Sequence, residues 1–194
     1  MGINSAYYAF PQPQIEEFKH HREAMLAFLE GETEANPVAE CKLGVMWDAL
    51  HFVLTGKGTG HADPATTERF LMQAVVGCKD MSQRRKIVSY ADAEQVRKIS
   101  DTMAGISLEL RGYSFSGRLA ELIGIGKTDT PVQRINSHTL FRQLSTANIY
   151  PPVWNSESGE LEFWRGKIVK AFGQLQEFYK KAAEQNCGVV VYIG

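Results

Sequence analysis

The stretch KLGVMWDALHFVLTG, residues Lys42–Gly56, combines an almost continuous apolar surface with a few polar side chains. On a helical wheel its aliphatic and aromatic residues cover nearly the whole circumference, which predicts a buried α-helix over Leu43–Thr55. A narrow polar arc remains, and its members stack along one side of the helix because their spacing follows the helical repeat. These residues are Gly44, Asp48, His51 and Thr55. The sequence therefore predicts a core helix with one thin polar seam.

The composition is that of an ordinary globular protein. The chain has 194 residues, of which 44% are hydrophobic and 22% charged, and this length suits one domain with a sizeable core. A net charge of −1 provides no strongly basic face, so no nucleic-acid partner is expected. No apolar run approaches the ~20 residues of a membrane span, and the start MGINSAYYAF lacks an export pattern. We therefore expect a cytoplasmic protein with no membrane partner.

Sequence motifs for a metal or nucleotide site are not convincing. Cys41, Cys78 and Cys187 are far apart and lack ligand spacing, so we interpret them as reduced thiols. The run LIGIGKTDT ends like a phosphate-binding loop, but Glu121 occupies the position of that loop's first glycine. A carboxylate there would repel the phosphate. We expect neither a cofactor nor a metal.

Hydrophobic periodicity and turn residues predict the remaining elements. Strands are expected at Ile3–Tyr8, Phe70–Val76, Ile87–Tyr90 and in the terminal run VVVYI, and helices at residues 14–31, after a capping box formed by Asp92 and Gln95, and at Leu161–Gln185. Asn36 and Pro37 would begin the central helix, whereas Gly105 and Ser107 would interrupt and restart the helix that Asp92 begins.

These elements predict an α+β fold. Strands near both termini, with amphipathic helices between them, favour a small mixed or antiparallel sheet packed by several helices. We expect one domain over residues 1–194, with an insertion around residues 112–136, where the periodic pattern weakens between glycine-rich ends. A short helix and the Pro151–Pro152 turn follow this insertion.

Two groups of residues are candidates for a functional site. Asp48 and His51 lie three residues apart on the predicted helix, so the carboxylate could orient the imidazole as in half of a general-base arrangement. Alternatively, His51 bonds to a backbone or side-chain partner where the helix meets a loop, and Asp48 is solvated. Tyr150 and Trp154 flank the proline turn, where aromatic rings either line a ligand pocket or seal the core. The sequence leaves both alternatives open for each group.

Four blocks of the sequence resemble the YfbM-like proteins, a bacterial family of unknown function. The blocks are WDALHFVLTG, SYADAEQVRKIS, NIYPPVW and LQEFYKKAAEQNCGVVVYI, and the family-typical positions among them are Trp47, Asp48, His51, Thr55, Gly56, Tyr150, Pro151, Trp154, Phe178 and Tyr179. The resemblance implies a single α+β domain in the bacterial cytoplasm. It implies no established activity, substrate or catalytic residue.

The sequence supports two functional hypotheses. The first is a non-catalytic binding or interaction domain for a protein or small molecule, with a candidate cleft formed by Trp47, Asp48, His51, Thr55, Tyr150 and Trp154. The alternative is a small hydrolase or transferase in which Asp48 orients His51 as the base and Tyr150 assists.

Overall fold

The computed structural model describes residues 2–58, 66–80, 86–111, 132–155 and 158–194. Within these ranges the chain forms seven strands and seven helices, an α+β fold as predicted. The strands are β1 (Ser5–Pro11), β2 (Ala39–Gly44), β3 (Lys79–Asp80), β4 (Ile87–Ala91), β5 (Ser107–Arg111), β6 (Val132–Asn136) and β7 (Cys187–Ile193). The helices are α1 (Gln12–His20), α2 (Arg22–Leu29), α3 (Trp47–Thr55), α4 (Thr66–Val76), α5 (Ala93–Ala104), α6 (Ser137–Thr146) and α7 (Ser158–Glu184).

The central sheet is antiparallel and is built around the C-terminal strand. Among the described residues its order is β2-β1-β7-β4-β3, so β7 lies between β1 and β4. This confirms that VVVYI is an interior strand, as its continuous apolar character predicts. A separate parallel pair joins β5 to β6.

The sheet separates two hydrophobic cores. Val189 and Val191 of β7 face the larger core, which α3 to α7 cover, whereas Val190 faces the smaller core beneath α1 and α2. Successive strand residues point to opposite faces, so one apolar strand serves both cores. The smaller core consists of Phe10, Ile15, Phe18, Met25, Val88 and Val190.

The C-terminal end of α4 is buried against the sheet, where three hydroxyl groups bind its carbonyls. Tyr179 donates to Ala74 O at 3.0 Å, Tyr7 donates to Val75 O at 2.9 Å, and the Ser89 hydroxyl donates to Val76 O at 2.5 Å. The last carbonyls of a helix have no partner within the helix. Donors from α7, β1 and β4 therefore satisfy the end of α4 and join these elements.

Several predicted helix features are confirmed. The Asp92 carboxylate accepts the Gln95 backbone N–H at 3.0 Å, while the Gln95 side chain accepts the Asp92 N–H at 3.0 Å, which is a complete capping box. Helix α7 lies within a few residues of its predicted bounds. The short helix before the proline turn is α6.

The prediction of one helix over Leu43–Thr55 is wrong in its first third. Ala39–Gly44 forms β2, in which Cys41 and Leu43 are buried and alternate with exposed Glu40 and Lys42. Gly44 adopts a φ of +57°, which ends the strand, and α3 begins only at Trp47. Short apolar runs fit the helical and the strand period equally well. Asn36 and Pro37 therefore do not begin the helix.

Three other boundaries also differ from the predictions. Residues 14–31 form two helices that break at His21, where φ is −123° and ψ is 71°, and nothing in the sequence explains the break. Phe70–Val76 lies in α4, because Leu71, Ala74 and Val75 are buried at helical spacing. Ser107 begins β5 rather than a helical turn, and its strand alternates around buried Leu108 and Leu110.

The predicted insertion falls mostly outside the described residues. Of residues 112–136, the structure describes Val132–Asn136, which form β6. The motif LIGIGKTDT lies outside the described residues, so its interpretation stays a prediction.

Replacement of Trp47 by alanine tests the burial of α3. The Trp47 side chain is 6% exposed and belongs to the larger core, so Trp47→Ala should lower the free energy of unfolding by about 3 to 5 kcal/mol in denaturant melts. Phe163 is 55% exposed and provides the control, since Phe163→Ala should cost less than about 0.5 kcal/mol. Equal losses for the two variants would contradict a buried indole.

Removal of one hydroxyl tests the capping of α4. Tyr7→Phe keeps the buried ring but leaves Val75 O without its donor, so it should cost about 1 to 3 kcal/mol in denaturant melts. Tyr8 of the same strand is half-buried and packs against Phe28, and Tyr8→Phe should change stability by less than about 0.5 kcal/mol. A Tyr7→Phe protein as stable as the wild type would show that the bond contributes nothing.

Candidate functional site

The N-terminal end of α3 is tied to the proline turn. The Asp48 carboxylate accepts the backbone N–H of Tyr150 through Oδ2 at 3.0 Å. Its other oxygen, Oδ1, is buried and has no hydrogen-bond partner among the described residues, as is true of Nε1 of Trp47. The seam residue Asp48 therefore connects two segments that are distant in sequence, and only one of its oxygens is used.

The C-terminal end of α3 holds the loop that follows it. The His51 ring bonds through Nδ1 to the carbonyl of Lys57 at 3.0 Å, and the Thr55 hydroxyl lies 2.9 Å from the His51 carbonyl and 3.1 Å from that of Lys57. A carbonyl only accepts, so Nδ1 must carry a proton in this bond. Gly56 ends the helix with a φ of +69°, a left-handed conformation that favours glycine.

Burial disfavours the charged form of His51. The side chain is 3% exposed, and desolvation lowers its pKa below the ordinary value of 6.5, against the opposing effects of the Lys57 carbonyl and the Asp48 charge. The neutral ring with its proton on Nδ1 has its lone pair on Nε2. His51 therefore acts as a neutral hydrogen-bond donor to the loop.

The proline turn is held by its own aromatic residues. The Trp154 indole N–H donates to Ile149 O at 2.7 Å, and its ring stacks on Phe141 with centroids 5.7 Å apart. The Tyr150 hydroxyl accepts the Ile3 N–H at 3.1 Å, and the Tyr150–Pro151 peptide bond is cis. Trp154 is 3% exposed, so its ring seals the core in the way that the sequence left open.

The structure brings only some of the predicted residues together. Asp48 meets Tyr150, and Tyr150 belongs to the same turn as Trp154, whereas His51 and Thr55 bind the opposite loop. The carboxylate–imidazole pair of the catalytic alternative is not formed, because Asp48 and His51 each bond to a backbone group elsewhere. Trp47 packs in the core beside them. Asp48 and His51 thus each hold a backbone group of a neighbouring loop, one near each end of α3.

A small cavity lies on the other side of the turn, between the end of α6 and the proline segment. It has a volume of about 140 Å³ and is lined by Leu144, Ser145, Asn148, Ile149, Pro152, Trp154 and Asn155. Of the predicted cleft residues, Trp154 alone lines it. Asn148 follows α6 with a φ of +52°, a position where helices often end in glycine or asparagine. That preference could have identified Asn148 from the sequence, whereas nothing there indicated Ser145 or Asn155.

The thiols are poorly placed for nucleophilic chemistry. Cys41 and Cys187 are free, and burial followed by the charge of Glu40 raises the pKa of Cys41 to about 12. Burial also raises the pKa of Cys187. Thiolates are the reactive form of cysteine, so these two groups are in unreactive states. Within the described ranges, no group of three His, Cys, Asp or Glu side chains could hold a metal ion.

The helices offer no membrane-spanning segment in the described part of the chain. No described helix combines the length and the apolar character that crossing a bilayer requires.

Comparison with known proteins identifies a family but no activity. The family model described as a domain of unknown function, DUF1877, matches residues 1–116 and 128–192. No curated protein matches the chain. Among solved structures, the chain is similar to "a Protein of Unknown Function YfbM from Escherichia coli", at 18% identity and a TM-score of 0.62, with 98% of this chain and 99% of that chain covered. At this identity the likeness shows the fold. The family match shows that the chain belongs to the DUF1877 family of unknown function.

Proposed function

We propose that this protein is a non-catalytic binding domain whose recognition site is the small cavity at the proline turn. The ligand is an uncharged hydrogen-bonding group of a small molecule or of a partner protein's side chain. The free thiols of Cys41 and Cys187 and the likeness to an Escherichia coli protein favour the bacterial cytoplasm as the compartment where it acts.

One observation carries this proposal: the polar seam of α3 serves to position backbone. Asp48 holds Tyr150, and His51 holds the carbonyl of Lys57. A general base must reach a substrate proton, but the His51 side chain is 3% exposed, and the Asp48 carboxylate bonds to Tyr150 rather than to the imidazole. Here the two side chains instead fix the loops at both ends of one buried helix. Such anchoring supports pre-organisation of the turn, which reduces the entropic cost of binding.

The lining of the cavity indicates the chemistry of the ligand. Ser145, Asn148 and Asn155 supply hydroxyl and amide groups, and the lining contains no charged residue. The Trp154 indole N–H is already used by Ile149, so its ring provides an apolar wall. The lining holds no charged partner for an ionised ligand, whereas its amide and hydroxyl groups could exchange hydrogen bonds with a carboxamide or hydroxyl group. A volume of about 140 Å³ suits a side-chain-sized group.

A titration with small side-chain analogues tests the proposal. The indole N–H resonance of Trp154 should shift with acetamide, propionamide and methanol, the analogues of the asparagine, glutamine and serine side chains, and should not shift with acetate or butylamine, the analogues of aspartate and lysine. Asn155→Ala should weaken this binding by about tenfold, which corresponds to one lost hydrogen bond. Gln143→Ala is the matched control, because Gln143 is exposed on α6 and does not line the cavity.

Two results would overturn the binding proposal. The first is the absence of any saturable shift across the whole panel, or shifts that Asn155→Ala leaves intact. The second is turnover in a hydrolase or transferase assay that His51→Gln abolishes while the circular dichroism spectrum and melting profile stay native. The second result would support the acid–base alternative, in which Asp48 and His51 must exchange their present partners.

The anchoring role of His51 also predicts how stability depends on pH. Because burial lowers the pKa of His51, the unfolded state binds more protons than the folded state in the range just below pH 6.5. The neutral His51 ring should contribute its full stabilisation above about pH 6.5. This contribution should decrease as the pH falls from about 6.5 through the folded-state pKa. Denaturant melts of the wild type and His51→Gln between pH 5 and 7.5 measure this difference.

The control for that experiment is His20→Gln, since His20 is exposed at the end of α1. This variant should show the same pH dependence as the wild type. A wild-type profile that matches His51→Gln throughout the range would contradict the anchoring role.

A further inference from the structure

Strand β2 lies at an edge of the central sheet. In the part of the chain that the structure describes, its one strand neighbour is β1. An edge strand offers unpaired backbone N–H and C=O groups to another strand. The edge is open beside α7, where a groove of about 620 Å³ lies between Ala39–Lys42 and the segment of α7 from Gly173 to Lys181. A Cβ atom added to Gly173 would meet nothing within 4 Å, so the groove wall is open there.

The charges on β2 are arranged so that the strand complements itself. Glu40 and Lys42 are exposed on the same face, while Cys41 between them faces the core. If two copies of β2 run antiparallel with Cys41 opposite Cys41, each Glu40 lies opposite a Lys42 of the other copy. Directly opposite residues of unlike charge stabilise antiparallel strands, and like charges destabilise them. This register therefore produces two attractive pairs related by a two-fold axis.

The helix that borders the groove also carries charges of both signs, because Glu177 and Lys181 of α7 line the groove one helical turn apart. Glu40 and Lys42 are 2.6 Å apart within one chain, and both side chains are well exposed. An exposed pair of this kind is worth little, so it can exchange for partners on a second copy at small cost.

We infer that β2 is a self-association surface, on which two copies of this chain pair antiparallel about Cys41 and join their sheets into one. The pairing is isologous, because the same strand contributes to both sides of the interface. It is a separate surface from the proposed cavity, since Trp154 and the proline turn do not border the groove.

Charge reversal in the full chain tests this inference by sedimentation equilibrium. Glu40→Lys places Lys opposite Lys in both pairs, and Lys42→Glu places Glu opposite Glu. Each single variant should weaken the dimer by about tenfold or more, since two attractive pairs become repulsive. The double variant E40K/K42E should recover the wild-type dissociation constant.

A mixture of the two single variants distinguishes pairing between chains from the ion pair within one chain. A chain with two lysines facing a chain with two glutamates recovers both attractive pairs, although neither chain regains its internal ion pair. The mixture should therefore form heterodimers while each variant alone stays mostly monomeric. The matched controls are Glu94→Lys and Lys98→Glu, which disrupt an exposed ion pair on α5. These controls should dimerise as the wild type does.

Backbone hydrogen exchange provides a second measurement on the wild-type chain. Amides of Ala39–Gly44 should become more protected as the protein concentration rises, because the second copy covers the edge. The inference is overturned if the wild type sediments as a monomer at all concentrations. It is also overturned if dimers persist in both single variants, or if the mixture does not associate. Binding of an extended segment from another protein at this edge, without self-association, would likewise contradict it.

Discussion

The constraint on which the rest of this structure depends is the burial of the end of α4. Helix ends leave carbonyls without partners, and burial without a donor is costly. The carbonyls of Ala74, Val75 and Val76 accept hydrogen bonds from hydroxyl groups of three other elements. Gly77 then turns the chain with a φ of +79°. A Cβ on Gly77 would lie 2.0 Å from the Ser89 hydroxyl oxygen. The contact between helix end and sheet therefore fixes both the local sequence and the arrangement of the larger core.

The same use of side chains to bind backbone appears at the candidate site. Asp48 and His51 look catalytic in isolation because a carboxylate and an imidazole share one helical face. In the structure each binds a main-chain group of a different loop, so helix α3 connects the two loops. The Trp154 indole closes its own turn in the same manner. Polar groups in this interior thus serve mainly to fix loops, and the recognition site that we propose lies at the turn that Trp154 closes.

The predictions that succeeded rest on local physics, and those that failed rest on contacts distant in sequence. The capping box at Asp92 is complete within four residues, and β7 is apolar on both faces, so both could be read directly. Residues 43–46 and Phe70–Val76 are short, mostly apolar runs, and only pairing with β1 or packing of α4 decides their conformation. The sequence placed Asp48 and Tyr150 in one candidate cleft, but their bond spans 102 positions, so no spacing rule could reveal it.

The two unequal cores have a consequence for how the molecule opens. Helices α1 and α2 cover a small core of six buried residues, whereas α3 to α7 share the extensive one across the sheet. Regions with few buried apolar contacts open at the lowest free energy. Among the described elements, the layer formed by α1 and α2 is therefore the unit that detaches at the lowest free energy, and its two helices become accessible to proteases while the larger core stays native.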